Sequence, residues 1–353
     1  MEPQTDITPT AQQESHEHNP DLCVQCQAKP FEAGYPINLC TDCRASLIKY
    51  PIPNWLKYFA AGILLVMVLS IFRTQKYISA AIHLGRAEKA IELKNYVTAE
   101  NELKKVLADA PDGLIANANM VIASIYNLDM AETGPAYTKI ENKDFDDETE
   151  LLKNVESALA FLDQNMVNDT VVNTKVAATP NTKPALLKLV KENNSLSIQL
   201  KIVVANALYD LKEYKAADSL ALEAISINSE SQIAIRLLSA TKRELKEFDK
   251  ALAYCNDMLK INHQDIYAIS QKARIELKRK NDERARKYVD EAMAIDPDSD
   301  LALEAKALTD YLTGHKKDAD ATFNKIKNLA TISGDNTIRD RISPILNGSL
   351  QYR

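Results

Sequence analysis

The sequence predicts an all-α protein whose main body is a solenoid of stacked helix pairs, and three observations predict it. Ala217, Ala251, Ala285 and Ala319 recur every 34 residues, a period that marks two-helix repeats. Ala205, Ser239, Ala273 and Ala307 fall twelve residues before these alanines, and Ile227, Ile261, Ile295 and Leu329 ten after, so one register holds over four units. The chain of 353 residues has 8 glycines and is 46% hydrophobic, a composition that suits helices.

The unit 266–299 shows how each repeat is built. Ile269, Ala273 and Leu277 stripe one face of a first helix. Lys280-Asn281-Asp282 forms a polar turn, and Ala285, Val289, Ala292 and Ile295 stripe a second helix. Asp296-Pro297 ends it, because proline cannot continue a helix. The small residues let neighbouring backbones approach closely. This pattern resembles the tetratricopeptide repeat (TPR) family. Ala273, Ala285, Ala292 and Pro297 match its small, alanine, small or apolar, and proline positions. The units 198–231 (Ala205, Ala217, Ala224), 232–265 (Ser239, Ala251, Met258) and 300–333 (Ala307, Ala319, Ile326) match in part and lack the proline.

From the N-terminus, residues 1–20 predict a disordered acidic tail, rich in Gln, Thr and Pro. His16 and His18 lie there; a solvated tail is favoured over a metal site. Residues 21–50 hold Cys23-Val-Gln-Cys26 and Cys40-Thr-Asp-Cys43, two pairs separated by 13 residues. Two thiolate pairs on tight turns supply the four tetrahedral ligands zinc prefers. The stretch between them is too short for a hydrophobic core, so structural zinc would supply its folding energy. The segment resembles a small zinc ribbon. Gln27 and Arg44 stand where the commonest knuckle has glycine. A disulfide-bonded pair of loops, which needs an oxidising compartment, and a redox dithiol are the competing readings. Cys255, alone in the repeats, reads as a packing residue.

Residues 55–72 predict a transmembrane helix. Tyr58–Phe72 carries no charge, and 18 residues at 1.5 Å each span about 27 Å. Trp55, Tyr58 and Lys57 mark one end, Arg73 and Lys76 the other. A buried helix would show polar positions at helical spacing. A signal peptide would discard the cysteines. Flanking charge ties (Arg44, Lys49 and Lys57 against Arg73, Lys76 and Arg86), so orientation rests on the thiolates, which belong on the reducing side. The expected arrangement is a single-pass protein of the bacterial inner membrane, its N-terminus cytoplasmic and its repeats periplasmic.

A further unit, out of phase, begins near residue 80, with Ala87, Ala99, Val106 and Pro111 in the repeat's places. With the run Leu114–Leu128 it gives a TPR-like block over 78–129. Gly134-Pro135 and the acidic run 144–148 then break the pattern. Residues 130–197 read as an irregular insertion, with a helix near 151–162 and a loop or linker over 166–183. Four repeats follow over 198–333, then a cap or tail over 334–353. A single irregular helical solenoid is the alternative to two blocks.

No catalytic constellation is visible. His83, His263 and His315 are scattered, and there is no Gly-rich phosphate loop, G-x-S-x-G or H-E-x-x-H. A net charge of −6 gives no reason to expect nucleic acid. The predicted function is therefore a membrane-anchored scaffold for protein–protein interaction, without catalysis. The alternative is a transmembrane sensor or regulator whose ribbon contacts a cytoplasmic partner while the repeats bind on the other side. The TPR resemblance implies that first helices line a concave face, with Asn206, Tyr209, Arg236, Arg243, Arg274, Lys278 and Tyr311 at its ligand positions. Arg236, Arg243, Arg274 and Lys278 would give a basic groove for an acidic peptide. Asp210, Glu244 and Glu304 intrude on that surface, so ordinary solvated faces are the competing reading. The order of ribbon, anchor and repeats resembles uncharacterised bacterial membrane proteins.

Overall fold

A computed structural model describes residues 19–48, 53–145, 149–165, 170–193 and 197–353, without the side chains at 48, 71–76 and 197. The predicted acidic tail, with His16 and His18, falls almost wholly on residues 1–18, outside the described residues. So do positions 146–148 of the acidic run. The chain divides into two compact units, Met1–Thr74 and Gln75–Arg353.

In the first unit, an isolated bridge pairs Leu22 with Pro30, and α1 (Thr41–Ile48) follows the second cysteine pair. The helix α2 (Asn54–Glu92) begins here. Leu64, Leu65, Val66 and Met67 are all more than half exposed. Four consecutive helical positions point in every direction around the axis, so this apolar stretch has no protein cover on any side among the described residues. No helix of the described residues is long and apolar enough to cross a membrane. The predicted segment 55–72 runs on past Ser70 into positions whose side chains are outside that description.

The second unit is all-helical. The end of α2 pairs with α3 (Tyr96–Asp109), and α4 (Leu114–Asn127) pairs with α5 (Met130–Ile140). Next come α6 (Thr149–Asn165), α7 (Thr170–Ala177) and α8 (Lys183–Glu192). Four helix pairs follow: α9 (Ser197–Asp210) with α10 (Tyr214–Ile227), and α11 (Gln232–Glu244) with α12 (Phe248–Ile261). The other two are α13 (Ile266–Lys278) with α14 (Asp282–Ile295), and α15 (Asp300–Leu312) with α16 (Lys316–Ser333). A last helix, α17 (Thr337–Leu346), packs on α15 and α16.

The small residues sit where helices meet. Ala205, Ser239, Ala273, Ala307, Ala217, Ala251 and Ala285 are fully buried, and Ala319 is 1% exposed. Among the closing aliphatics, Ile227 instead lies in the open at 53% exposure.

Two readings of the stretch 130–197 are corrected. Gly134-Pro135 does not end the helical pattern: α5 runs through Pro135 and buries Thr133, Ala136 and Ile140. Asp129 caps its start, accepting from the Ala131 and Glu132 N–H groups. Residues 170–177 are helical because Val172, 1% exposed, packs into the core around Leu186 and Leu200. Tertiary burial there overrides the weak helix propensity of a Thr- and Val-rich run.

A turn repeats with the same beat. Lys94 and Leu128, then Lys212, Lys246, Lys280 and Gly314, all have positive φ between the two helices of a pair. At Lys246, the N–H donates to the Arg243 carbonyl (3.1 Å) and that of Glu247 to Lys242 (2.9 Å). The same two bonds recur at the other five turns. This is the Schellman closure, whose left-handed position favours glycine. A side chain there costs about 1–2 kcal/mol, partly offset by glycine's greater freedom when unfolded. Lys280→Gly is therefore expected to stabilise by about 0.5–1 kcal/mol, read as a higher urea midpoint at unchanged m-value.

The two groups of repeats are fastened together. The Lys94 carbonyl accepts from the His263 N–H (2.9 Å), and Lys94 Nζ donates to the Lys260 carbonyl (3.1 Å). Gln264 bonds Thr98 twice, at 2.9 Å each, and Asn262 Nδ2 donates to Asn127 Oδ1 (3.1 Å). Asn127 in turn donates to Glu100 (3.2 Å). Burial and the nearby Asp129 charge push the Glu100 carboxyl up to about 7. A raised carboxyl favours the fold fully below its unfolded value near 4.5, and that support is lost as pH rises towards 7. Glu100→Gln is thus expected to raise stability at pH 8 by up to about 3 kcal/mol and to leave it unchanged near pH 4.5. Thermal unfolding at the two pH values checks this.

Candidate functional site

Cys23, Cys26, Cys40 and Cys43 come together as sequence spacing predicts, their Sγ atoms all within 4.8 Å of one another. The Cys26 and Cys40 sulfurs are 3.7 Å apart and the cysteines are free thiols. That is far beyond a disulfide bond and close to the edge, about 3.8 Å, of a tetrahedron of sulfurs around zinc. Backbone geometry builds the site. Gln27, with φ +51, holds the left-handed position where glycine is commoner, and its N–H donates to the Cys23 carbonyl (2.8 Å). Arg44 needs no such conformation, because it lies in the first turn of α1.

Arg44 then braces the loop. It lies 3.6 Å over the Tyr35 ring, pairs with Glu32 at 3.3 Å and donates to the Ile37 carbonyl at 3.0 Å. Burial would raise the Cys23 thiol, but bonds from the backbones of Cys40, Cys26 and Gln25 outweigh it and draw it down to about 6. Hydrogen bonding to Cys40, with burial, pushes Cys43 up to about 12. Four sulfurs this close repel one another as thiolates, so full deprotonation requires a cation among them. Cys255 is fully buried, and burial pushes its thiol up to about 12, as befits a packing residue.

The repeats build a second candidate site. Side chains from α9, α11, α13, α15 and α17 converge on a pocket of ≈ 350 Å³. Of the predicted groove residues it contains Tyr209, Arg243, Arg274 and Lys278. Tyr311 lines an adjoining cavity of ≈ 450 Å³. Arg236 stands apart, paired with Asp265 (3.1 Å) and 4.9 Å over the Tyr267 ring. Asn206 is exposed and lies outside both cavities. A larger cavity, ≈ 560 Å³, lies against α2, α3 and α4, but its walls are mainly apolar.

The positive charge of the groove is partly countered, because Arg243 and Lys278 share Glu244 while Arg274 and Arg341 share Glu304. Arg243, 2% exposed, donates Nε to Glu244 (2.8 Å) and Nη2 to the Tyr209 hydroxyl (2.7 Å), and also bonds Gln271. Lys278 bonds the other Glu244 oxygen at 3.0 Å. Arg341 donates to both carboxylate oxygens of Glu304, at 2.8 and 2.6 Å, and Arg274 adds a contact at 3.5 Å. Burial alone would raise both carboxyls. The Arg243 and Lys278 charges hold Glu244 below the usual carboxylate range, and Arg274 and Arg341 do the same for Glu304.

Sequence reading missed the segment that crosses this pocket. After α17, Gly348 (φ +77) turns the chain back, and the Leu350 N–H donates to the Pro344 carbonyl at 2.8 Å. Tyr352, 9% exposed, lies beneath Lys278 Nζ (4.7 Å), and its hydroxyl donates to the Arg274 carbonyl (3.4 Å). Arg353 pairs with Asp282 and donates to the carbonyls of Leu312 (3.0 Å) and Leu277 (3.5 Å). These carbonyls lie in the last turns of α15 and α13, where partial negative charge accumulates. No period marks residues 341–353, and only Gly348 signals a turn.

The fold is a TPR-like helical repeat with a four-cysteine cluster near its N-terminus. The chain is similar to a tetratricopeptide repeat protein from Parabacteroides merdae, at 14% identity over 76% of this chain and 98% of that one, with a TM-score of 0.41. It is also similar to a Rap protein solved with competence and sporulation factor (14%, 76% and 82%, TM-score 0.38). A third is YrrB, described as a TPR protein with an unusual peptide-binding site (15%, 68% and 97%, TM-score 0.30). No protein-family model matches the chain, and no curated protein does.

Proposed function

We propose that this protein is a membrane-anchored TPR-like scaffold that binds an extended peptide segment in its repeat groove, with no catalysis of its own. The observation that carries the reading is the convergence of four successive first helices on one pocket whose polar groups are arranged for contact and hold no nucleophile–base pair. Stacked helix pairs present such a face as an extended binding surface. A photo-crosslinking residue at exposed Asn206, beside the groove, tests it. Capture of a protein in vivo that Lys278→Glu abolishes supports the reading; capture unaffected by Lys278→Glu counts against the groove.

The anchor is the run 55–72. Its described part is apolar and bare on every side, which in water is unfavourable by about 25 cal/mol for each Å² left exposed. The ribbon would hold structural zinc through Cys23, Cys26, Cys40 and Cys43, and a closed site of four protein ligands leaves no open position for catalysis. Zinc thiolates favour the cytoplasmic side, with the repeats across the membrane. Labelling intact cells with an impermeant maleimide, in a Cys255→Ser background with and without S349C, tests this. Added labelling from S349C puts the repeats outside, and protection until lysis reverses the topology.

A further inference from the structure

The segment across the pocket does more than close the last repeat. Tyr352 and Arg353 use the two kinds of contact by which a groove recognises a peptide: a seat for one side chain and a set of acceptors for the next. The Tyr352 seat is amphipathic. Leu277, Leu308 and Ile345 share its apolar cluster, Lys278 covers its ring and the Arg274 carbonyl accepts a hydrogen bond from its hydroxyl. The Arg353 seat is made of acceptors alone: both oxygens of Asp282 and the carbonyls of Leu277 and Leu312. Two helix ends and one carboxylate favour a cation there and disfavour an anion. The cations of the groove are meanwhile occupied by Glu244 and Glu304. At the Arg353 seat the chemistry therefore runs opposite to that of a basic groove taking an acidic peptide.

We propose that residues 350–353 are a resident ligand mimic, and that the groove takes from its partner a segment with an aromatic residue followed by arginine, which must displace this tail to bind. The proposal rests on the groove reading above and adds the ligand's chemistry and its regulation. The tail is suited to release. Leu350 and Gln351 are exposed, and one glycine turn delivers both anchors. A segment already tethered beside its seat competes at high effective concentration, so the intact protein binds a free copy weakly.

The test uses the full chain and a fluorescent peptide of residues 347–353, acetylated and amidated, with binding followed by anisotropy. The Tyr352→Ala/Arg353→Ala double variant, shown to be folded by circular dichroism, is expected to bind the peptide at least tenfold more tightly than the unaltered protein. A peptide with alanine at both positions is expected not to bind. If the double variant does not fold, Gly348→Val takes its place, because it strains the turn and leaves both anchors and both seats intact. Equal affinity for the unaltered and variant proteins overturns the gating. No binding to a folded variant overturns the ligand chemistry. Neither result touches the groove reading itself, which the crosslink at Asn206 judges without the tail.

Discussion

Cys40→Ser is expected to unfold residues 19–48 and to leave the thermal transition of the 75–353 unit in place. The ribbon buries little: Cys23, Leu39 and Cys40 form its small core, with Cys43 packed against them. Entropy of ordering runs to about 1–2 kcal/mol per residue for the backbone alone, which so few side chains do not offset. Zinc in such sites contributes on the order of 10–16 kcal/mol, so on the proposed zinc reading losing one ligand would remove most of what holds the segment. Chelation should act as the substitution does. Metal content by atomic emission and amide exchange over 19–48 provide the check. One zinc per chain, lost in the variant with exchange made fast, is the expected pair of results. Protection that survives chelation would mean the ribbon folds without metal.

Glu304→Gln is the substitution with the next largest expected effect, a loss of about 3–5 kcal/mol. Glu304 is 1% exposed and lies between Arg274 and Arg341. Removing its charge leaves two guanidinium groups facing each other, one of them mostly buried. The carboxyl is held below its ordinary value, so its support is present above about pH 4.5 and lost as pH falls through the folded value. The unaltered protein should therefore lose stability in acid more steeply than the variant, and their unfolding curves should approach each other. Curves that stay parallel from pH 7 to pH 3 would show that the triad contributes nothing through charge.

What was legible in the sequence follows from how each feature is encoded. The repeats were readable because a position between two backbones tolerates only a small side chain, so Ala217, Ala251 and Ala285 carry the information themselves. The cysteine cluster was readable because its spacing is its geometry. The helix α5 was hidden by Gly134-Pro135, although Thr133 and Ile140 keep the 34-residue register set by Ala99 and Val106. The character of the groove was hidden for a different reason. Arg243, Arg274 and Lys278 are cations in sequence, but the carboxylates that pair with them lie between one and 34 residues away. Tyr352 and Arg353 belong to no period, and only the turn at Gly348 brings them back over α13 and α15.

The bonds joining Lys94, Thr98 and Asn127 to the corner after α12 have a consequence for how this array can change. An ordinary solenoid grows or shrinks by whole units, because each touches only its neighbours. Here that corner is reached from Asn127 only after α5 to α12, and it has to arrive in register with Thr98 and Asn127. Inserting or deleting one helix pair between them would carry Asn262 and Gln264 away from their partners and orphan several polar groups at once. The number of units between the two fastened points is therefore fixed, and variation by repeat duplication is confined to the stretches outside them, such as that from α13 onward.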